Sequence, residues 1–461
     1  MSENLHRLNF FSVPAKAQTK EYAQLYGCSQ ALSLALLSQV KTNPIAVITA
    51  DVNHAQQLQN ELSFFTSGKC KILELPDWET LPYDTYSPHQ DIISQRLTTL
   101  YQLPEMKSGD ILIMPVSTLL QRLPPKSYIK SQILLLKKNQ TLDIDDFRGN
   151  LEQNGYQCVM QVMEHGEFAV RGSIIDLYPS GHDFPFRIDL FDTEVDTIRR
   201  FDPESQRSLD AIDAIEILPA REFPFNKDAI SEFRVRYREK LAGDPTLSKI
   251  YQEISQGNIP NGIEYYLPLF FDHLESVFNY LPRNTVFCSD NELANTIEHF
   301  YKDVMQRFEQ RRHDIERPIL SPDTLYLNTD ELETSLQLFS HIKTQTNKNL
   351  PGKDAVDLPF SAPKKLIASD KSSTQISNLV TYIKTFEGRM LLVAESAGRR
   401  EMLLEMLHDQ HIYPKTFDNW ALFTESEDAI GVCVAPLNRG LNIQQPALCV
   451  LTEAQIFGDR V

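Results

Sequence analysis

The order of apolar and polar residues predicts alternating helices and strands between residues 25 and 125. Apolar residues recur every three or four positions, as in amphipathic helices, at residues 31–40, 53–65 and 91–103. Short continuous apolar runs, which suit buried strands, occur at residues 45–49, 71–75 and 110–115. Strands that alternate with helices form a parallel sheet covered by helices. We therefore predict an α/β domain at the start of the chain.

The hydrophobic period changes to two near residue 131, which indicates a second fold. Short runs separated by Gly, Pro and Asp, typical of a mostly antiparallel domain, occur at residues 133–136, 168–178, 186–191 and 195–201. After Pro219, helical spacing returns at residues 228–241 and 246–256, and strand-like runs follow at residues 285–289 and 324–327. This order predicts one α/β domain, residues 1–130 and 220–345, interrupted by an inserted mostly antiparallel α+β domain, residues 131–219.

A polar stretch rich in Pro and Lys follows, and we predict a linker at residues 346–360. Beyond it, further alternation of helical and apolar runs predicts a small α/β domain at residues 361–461. The fold class is therefore α/β multidomain. The chain has 461 residues, about three times the length of a typical domain, which agrees with a division into several domains.

Composition narrows the class of protein. With 42% hydrophobic and 23% charged residues the chain is typical of a folded protein. No apolar run approaches the roughly 20 residues of a membrane span, and the start lacks a basic region followed by an apolar one, so we expect a cytoplasmic protein. The six cysteines include no CxxC pair, which argues against zinc sites and a disulfide framework.

The net charge of -17 disfavours avid non-specific binding to a phosphate backbone. Residues 131–219 alone hold eight Lys or Arg against 17 Asp or Glu. A protein is therefore a better candidate partner than nucleic acid.

A nucleotide-binding loop is absent as a complete motif. The motif GxxxxGK[ST] needs a Lys for phosphates and a hydroxyl for magnesium. At the nearest stretch, which begins at Gly27, Gln30 replaces the lysine and Ala31 replaces the hydroxyl residue. A neutral amide and a methyl group cannot serve these roles, so we expect no nucleotide binding or hydrolysis there.

We favour a structural role for the other residues that could form a metal-binding or acid-base site. Asp77, Glu79 and Asp84 are close enough in sequence for a metal or acid-base site, but a solvated loop held down by Trp78 and Tyr83 explains them better. Glu164 and His165 are adjacent in an extended run, so their side chains face opposite ways and a hydrogen-bonding histidine is expected. We expect no catalytic residue, no metal and no cofactor in this chain.

The run at residues 186–191 alternates, which places Phe186, Ile188 and Leu190 on one face. If that face is the core, Arg187 and Phe191 point outward together. An exposed aromatic beside an arginine is typical of protein-protein hot spots. A second layer that covers Phe191 is an equally good interpretation.

Long stretches of the chain resemble known repair proteins. EHGEFAVRGSIIDLYP (164–179), FRIDLFD (186–192) and RFDP (200–203) resemble the UvrA-contacting domain of UvrB and the matching domain of the transcription-repair coupling factor family. DWETLPYD (77–84), SPHQDIISQRL (87–97) and GIEYYLPLFF (262–271) resemble the coupling-factor family specifically. The shorter NRGLNI (438–443) faintly resembles a late helicase motif, and we expect it to be inert.

This resemblance implies a fold and a partner. The first domain would be a degenerate RecA-like, UvrB-like motor domain, and the inserted domain would dock on UvrA through Arg171, Arg187 and Phe191. ATP, magnesium, RNA polymerase and DNA would be bound by parts of the full-length family protein outside this chain. Two alternatives remain: a UvrB-like ATP-dependent damaged-DNA-binding helicase, and a direct DNA-binding scaffold, for which a basic stripe with interleaved aromatics is missing.

Overall fold

A seven-stranded sheet, parallel throughout, forms the centre of the first body of the molecule. The computed structural model describes residues 10–348, 355–364, 366 and 372–458. The strand order is β15-β1-β14-β13-β2-β4-β3. These strands are β1 (Thr19–Ala23), β2 (Ile45–Thr49), β3 (Ile72–Glu74), β4 (Ile111–Pro115), β13 (Val286–Asp290), β14 (Ser340–Thr344) and β15 (Ala355–Asp357).

Helices cover both faces of this sheet. As a result, a central strand such as β2 is buried at every position. Asp51 begins the second helix by accepting a hydrogen bond from the backbone N–H of His54 at 2.8 Å. The helices that precede the insertion are α1 (Ser29–Val40), α2 (Val52–Thr66), α3 (Gln90–Gln102), a 3₁₀ turn (Leu103–Glu105), α4 (Val116–Leu120) and α5 (Lys126–Ser131).

A second sheet lies in the inserted segment, in the order β11-β10-β9-β8-β7-β6. Its neighbouring strands are antiparallel except for β6 and β7, and β5 pairs antiparallel with β12 beside it. The elements are β5 (Leu134–Lys137), α6 (Ile144–Gln153), β6 (Gln157–Cys158), β7 (Glu167–Arg171), β8 (Ile174–Leu177), β9 (Phe186–Phe191), β10 (Glu194–Phe201), β11 (Ser208–Ile212) and β12 (Ala214–Ile217). The apolar run expected at residues 168–178 is a hairpin that turns at Gly172, whose φ is +63°.

The chain then returns to the first body. One expectation is wrong here: residues 324–327 are not a strand, because Pro322 starts a short helix, as proline at a first helical position favours. The elements are α7 (Lys227–Lys240), a 3₁₀ turn (Pro245–Leu247), α8 (Lys249–Ser255), a 3₁₀ helix (Ile263–Leu269), α9 (Val277–Tyr280), α10 (Leu293–Arg311), α11 (Pro322–Leu325) and α12 (Thr329–Leu336).

The predicted linker, residues 346–360, is partly built into the sheets. Its residues 349–354 lie outside the described part, but β15 pairs with β1 and Phe360 begins a strand of the third sheet. That sheet has the order β16-β20-β21-β17-β19-β18. Its elements are β16 (Phe360–Ser361), α13 (Ser372–Thr385), β17 (Arg389–Ala394), α14 (Ala397–His408), β18 (Lys415–Thr416), α15 (Trp420–Glu425), β19 (Ile430–Val434), β20 (Leu441–Ile443), β21 (Leu448–Thr452) and α16 (Glu453–Phe457).

The third sheet and the first body share a hydrophobic core. Residues of α1, α2 and β2 belong to the same buried cluster as residues of β17, β19 and β21. The Phe65 ring on α2 meets the Trp420 ring edge-on, with centroids 5.0 Å apart. The third domain is therefore packed onto the first rather than merely tethered to it. Across the described ranges, no helix combines the length and the apolar character that crossing a bilayer requires.

Candidate functional site

The loop that begins at Gly27, where the sequence predicts a degenerate nucleotide-binding motif, is closed by the third domain. Gly27 has φ +56°, and a Cβ there would lie 2.1 Å from the carbonyl oxygen of Gly440. The next backbone N–H, of Cys28, donates to the carbonyl of Arg439 at 3.1 Å. The backbone of residues 439–440 thus occupies the space directly in front of the loop. A phosphate chain could not approach Gly27 without displacing it.

The two substituted residues of the loop have structural partners. The Gln30 side-chain amide donates to the hydroxyl of Thr344 at 3.5 Å, which joins α1 to β14. Ala31 is fully buried in the core shared with the third domain. Neither residue presents a charge or a metal ligand to the loop.

The acidic loop at residues 77–84 is held down as expected. Trp78 and Tyr83 are 4% and 2% exposed. The Asp77 carboxylate accepts from the Ser117 hydroxyl at 2.7 Å and from the Glu79 backbone N–H at 2.8 Å. The Asp77 carboxylate therefore fixes the loop, and within the described ranges no three metal-ligating side chains cluster.

His165 joins the inserted segment to the first body. Its Nδ1 lies 2.7 Å from a carboxylate oxygen of Asp91 on α3, and its Nε2 lies 2.9 Å from the carbonyl of His182. Both ring nitrogens therefore face oxygen acceptors. The expected hydrogen-bonding histidine is confirmed.

A buried carboxylate organises the face that carries the three predicted contact residues. Asp176 on β8 is fully buried and lies directly opposite Arg187 on β9. It accepts hydrogen bonds from Arg187 Nε at 2.7 Å and from Arg187 Nη2 at 2.9 Å, and a further one from Arg171. The hydrogen bond to Asp176 raises the pKa of the Arg187 guanidinium above its ordinary value. Both arginines are thus held in place by one acid.

The arginines differ in exposure. The Arg187 side chain is 19% exposed and lies over the Phe201 ring, 4.7 Å from its centroid. Its Nη1 also donates to the Gln206 carbonyl at 3.2 Å. The Arg171 side chain is 51% exposed. Arg187 therefore lies on the outer face, as the alternation predicts, and most of its side chain is covered.

Phe191 is the exposed apolar element of this face. The core side of β9 is formed by Phe186, Ile188 and Leu190, all buried, whereas Phe191 is 80% exposed. The predicted alternation is confirmed, and within the described part of the chain no second layer covers the ring. Two cations, Arg171 and Arg187, are therefore held by one buried acid, and the exposed Phe191 ring lies further along β9 on the same side of the sheet. We define Arg171, Asp176, Arg187 and Phe191 as the arginine–phenylalanine face.

Comparisons with known proteins identify two domains and one family. Residues 134–223 match the family model of the UvrB interaction domain, and residues 382–456 match the MFD, D3 domain model. The transcription-repair-coupling factors of Haemophilus influenzae and Escherichia coli are 40% and 39% identical over 94% and 98% of this chain. The Bacillus subtilis protein of that name is 24% identical over 95% of the chain. The chain spans 38–39% of the length of these relatives. On these matches, the chain belongs to the transcription-repair-coupling factor family.

Proposed function

We propose that this chain is the UvrA-recruiting part of a factor that couples removal of stalled RNA polymerase to nucleotide excision repair. The match of residues 134–223 to a UvrB interaction domain supports this role. The observation that carries the proposal is the exposed Phe191 ring on a face where a buried carboxylate holds two arginines. This face is the docking surface for UvrA.

The face has the physical properties of a protein-binding site. Burying an aromatic ring contributes about 1.5–3 kcal/mol, so the 80% exposed Phe191 has most of that energy available for a partner. Arg171 is exposed enough to pair with an acidic group. Arg187 supports the face because Asp176 and Phe201 fix its guanidinium. The acidic surroundings repel DNA while these cations attract a protein carboxylate.

We further propose that this chain neither binds nor hydrolyses ATP. The runner-up function, a UvrB-like ATP-dependent damaged-DNA-binding helicase, needs a phosphate site at the loop beginning at Gly27. Gln30 and Ala31 supply no charge or magnesium ligand, and the backbone of residues 439–440 lies against the loop. We assign ATP, magnesium, DNA and RNA polymerase binding to the length of the relatives that this chain does not span.

Titration of the chain with purified UvrA tests the docking proposal. Phe191→Ala should weaken binding by about tenfold to thirtyfold, equivalent to roughly 2 kcal/mol, without lowering the melting temperature. Tyr86→Ala removes a 70% exposed ring from the first body and is the matched control that should bind as the unmodified chain does. Unchanged affinity in a folded Phe191→Ala variant contradicts the proposed surface. Melting of that variant would instead show that Phe191 is structural.

A further inference from the structure

The two most exposed large apolar side chains of the described residues lie in the same domain. Met160 is 95% exposed and Phe191 is 80% exposed. Their neighbours in the same segments are covered: Val162, two residues after Met160, is fully buried, and Leu190, directly before Phe191, is 6% exposed. Methionine and aromatic residues are enriched at protein interfaces, so this exposure needs an explanation beyond chance.

Met160 belongs to a segment that is linked to Arg187 of the arginine–phenylalanine face through Phe201 and Gln206. Val162, two residues later, packs against Phe201, over whose ring the Arg187 guanidinium lies. The Gln206 side-chain amide donates to the Val162 carbonyl at 3.2 Å, and the Gln206 carbonyl accepts from Arg187. We call residues 159–163 the methionine segment. It lies on the same side of the sheet as Arg187 and hence as Phe191.

The methionine segment is fixed at both ends. The Val159 backbone N–H donates to the Phe168 carbonyl at 2.9 Å. The Glu167 carboxylate accepts from the backbone N–H groups of Met163 at 2.8 Å and Glu164 at 2.9 Å. The exposure of Met160 is therefore imposed by a hydrogen-bonded backbone. A thioether held out in this way is available for contact at little further loss of chain entropy.

We propose that the methionine segment forms a second edge of the UvrA-docking surface, with Met160 as an apolar anchor and the 44% exposed Met163 beside it. This inference rests on the proposed function and extends it beyond the residues that the resemblance supplies. UvrA would present an apolar recess to Met160 next to the surface that receives Phe191. The flexible thioether suits such a recess because it adapts its shape.

Three variants of the whole chain test the inference by titration with UvrA. Met160→Gln keeps the length of the side chain but makes its end polar, and should weaken binding by about tenfold. Met160→Leu keeps the apolar area and should bind within about twofold of the unmodified chain. Met402→Gln changes a 54% exposed methionine on α14 and should leave affinity unchanged. Melting temperatures should be equal in all three, since none of these side chains is buried.

The outcomes separate this inference from the docking proposal. If Phe191→Ala weakens binding and Met160→Gln does not, the inference is wrong and the docking surface stands. If neither variant weakens binding, the proposed surface itself is wrong. Should Met160→Gln leave UvrA affinity intact but reduce self-association in sedimentation, Met160 contacts a second copy of the chain and the inference is overturned. Equal losses in Met160→Leu and Met160→Gln would also overturn it, because an apolar anchor tolerates leucine.

Discussion

Replacing Arg187 should destabilise the fold far more than replacing Arg171, although both bind the same carboxylate. Removing a partner from a buried ion pair costs about 3–5 kcal/mol, because the remaining charge is left uncompensated. The Arg187 side chain is 19% exposed and Arg171 remains as a partner of Asp176, which places the loss at the lower end. Loss of the contact with Phe201 adds about 0.5–1 kcal/mol. We expect Arg187→Ala to lower the free energy of unfolding by about 3 kcal/mol.

Arg171→Ala is the internal comparison. Its side chain is 51% exposed, so solvent screens its pair with Asp176, and the loss should stay below about 1 kcal/mol. Urea denaturation of both variants at neutral pH, followed by circular dichroism, measures the two values. Equal destabilisation, or an Arg187→Ala variant as stable as the unmodified chain, would refute the assigned roles. Arg171→Glu is then the better variant for testing the interface, because a substitution at Arg187 would combine partial unfolding with loss of the contact.

Four further predictions concern the pH dependence of stability, the domain packing, ATP binding and the domain boundaries. Burial raises the pKa of Glu61 from 4.5 to about 7. The folded state therefore holds a proton that the unfolded state releases, and Glu61 reduces stability as pH rises from 4.5 to 7. Glu61→Gln should weaken that pH dependence, measured by denaturation at pH 5 and pH 8, and a steeper dependence would contradict it. Gly27→Ala should loosen the packing of the third domain, because the new Cβ would meet the carbonyl oxygen of Gly440. Limited proteolysis should then cut this variant between the domains faster than it cuts the unmodified chain. Calorimetry should detect no ATP binding to the unmodified chain or to the variant. Residues 131–219 expressed alone should melt cooperatively, and a non-cooperative melt would show that the domain boundaries are wrong.

The sequence predicted those strands and helices whose buried residues follow the hydrophobic period of a strand or a helix. The bounds of β2 and β9 agree with the apolar runs at residues 45–49 and 186–191, because one or both faces of these strands are buried. The run at residues 324–327 misled the prediction, since its apolar side chains face the core from a short helix and an irregular segment. Helix α10 was not predicted, although Ile297, Phe300 and Val304 follow helical spacing and could have indicated it.

The contacts that define the candidate sites are not local. Asp176 stands between two apolar residues of β8, and a charge at such a position signals a buried partner without identifying it. Its partner follows from the register of β8 against β9, which places Arg187 opposite. The contact between Gly27 and Gly440 joins two domains, so no sequence period could reveal it. Registers and domain packing depend on the whole fold, which explains why the sequence alone left these features open.

We propose that UvrA docks on the arginine–phenylalanine face and the methionine segment. Hydrogen–deuterium exchange of the whole chain, with and without UvrA, maps the contact directly. We expect slower exchange in the presence of UvrA at residues 159–163, at residues 171–174 around the hairpin and at Phe191, with no change in the third domain. Protection confined to residues outside the inserted segment, or no protection at a UvrA concentration that saturates the chain, would contradict it.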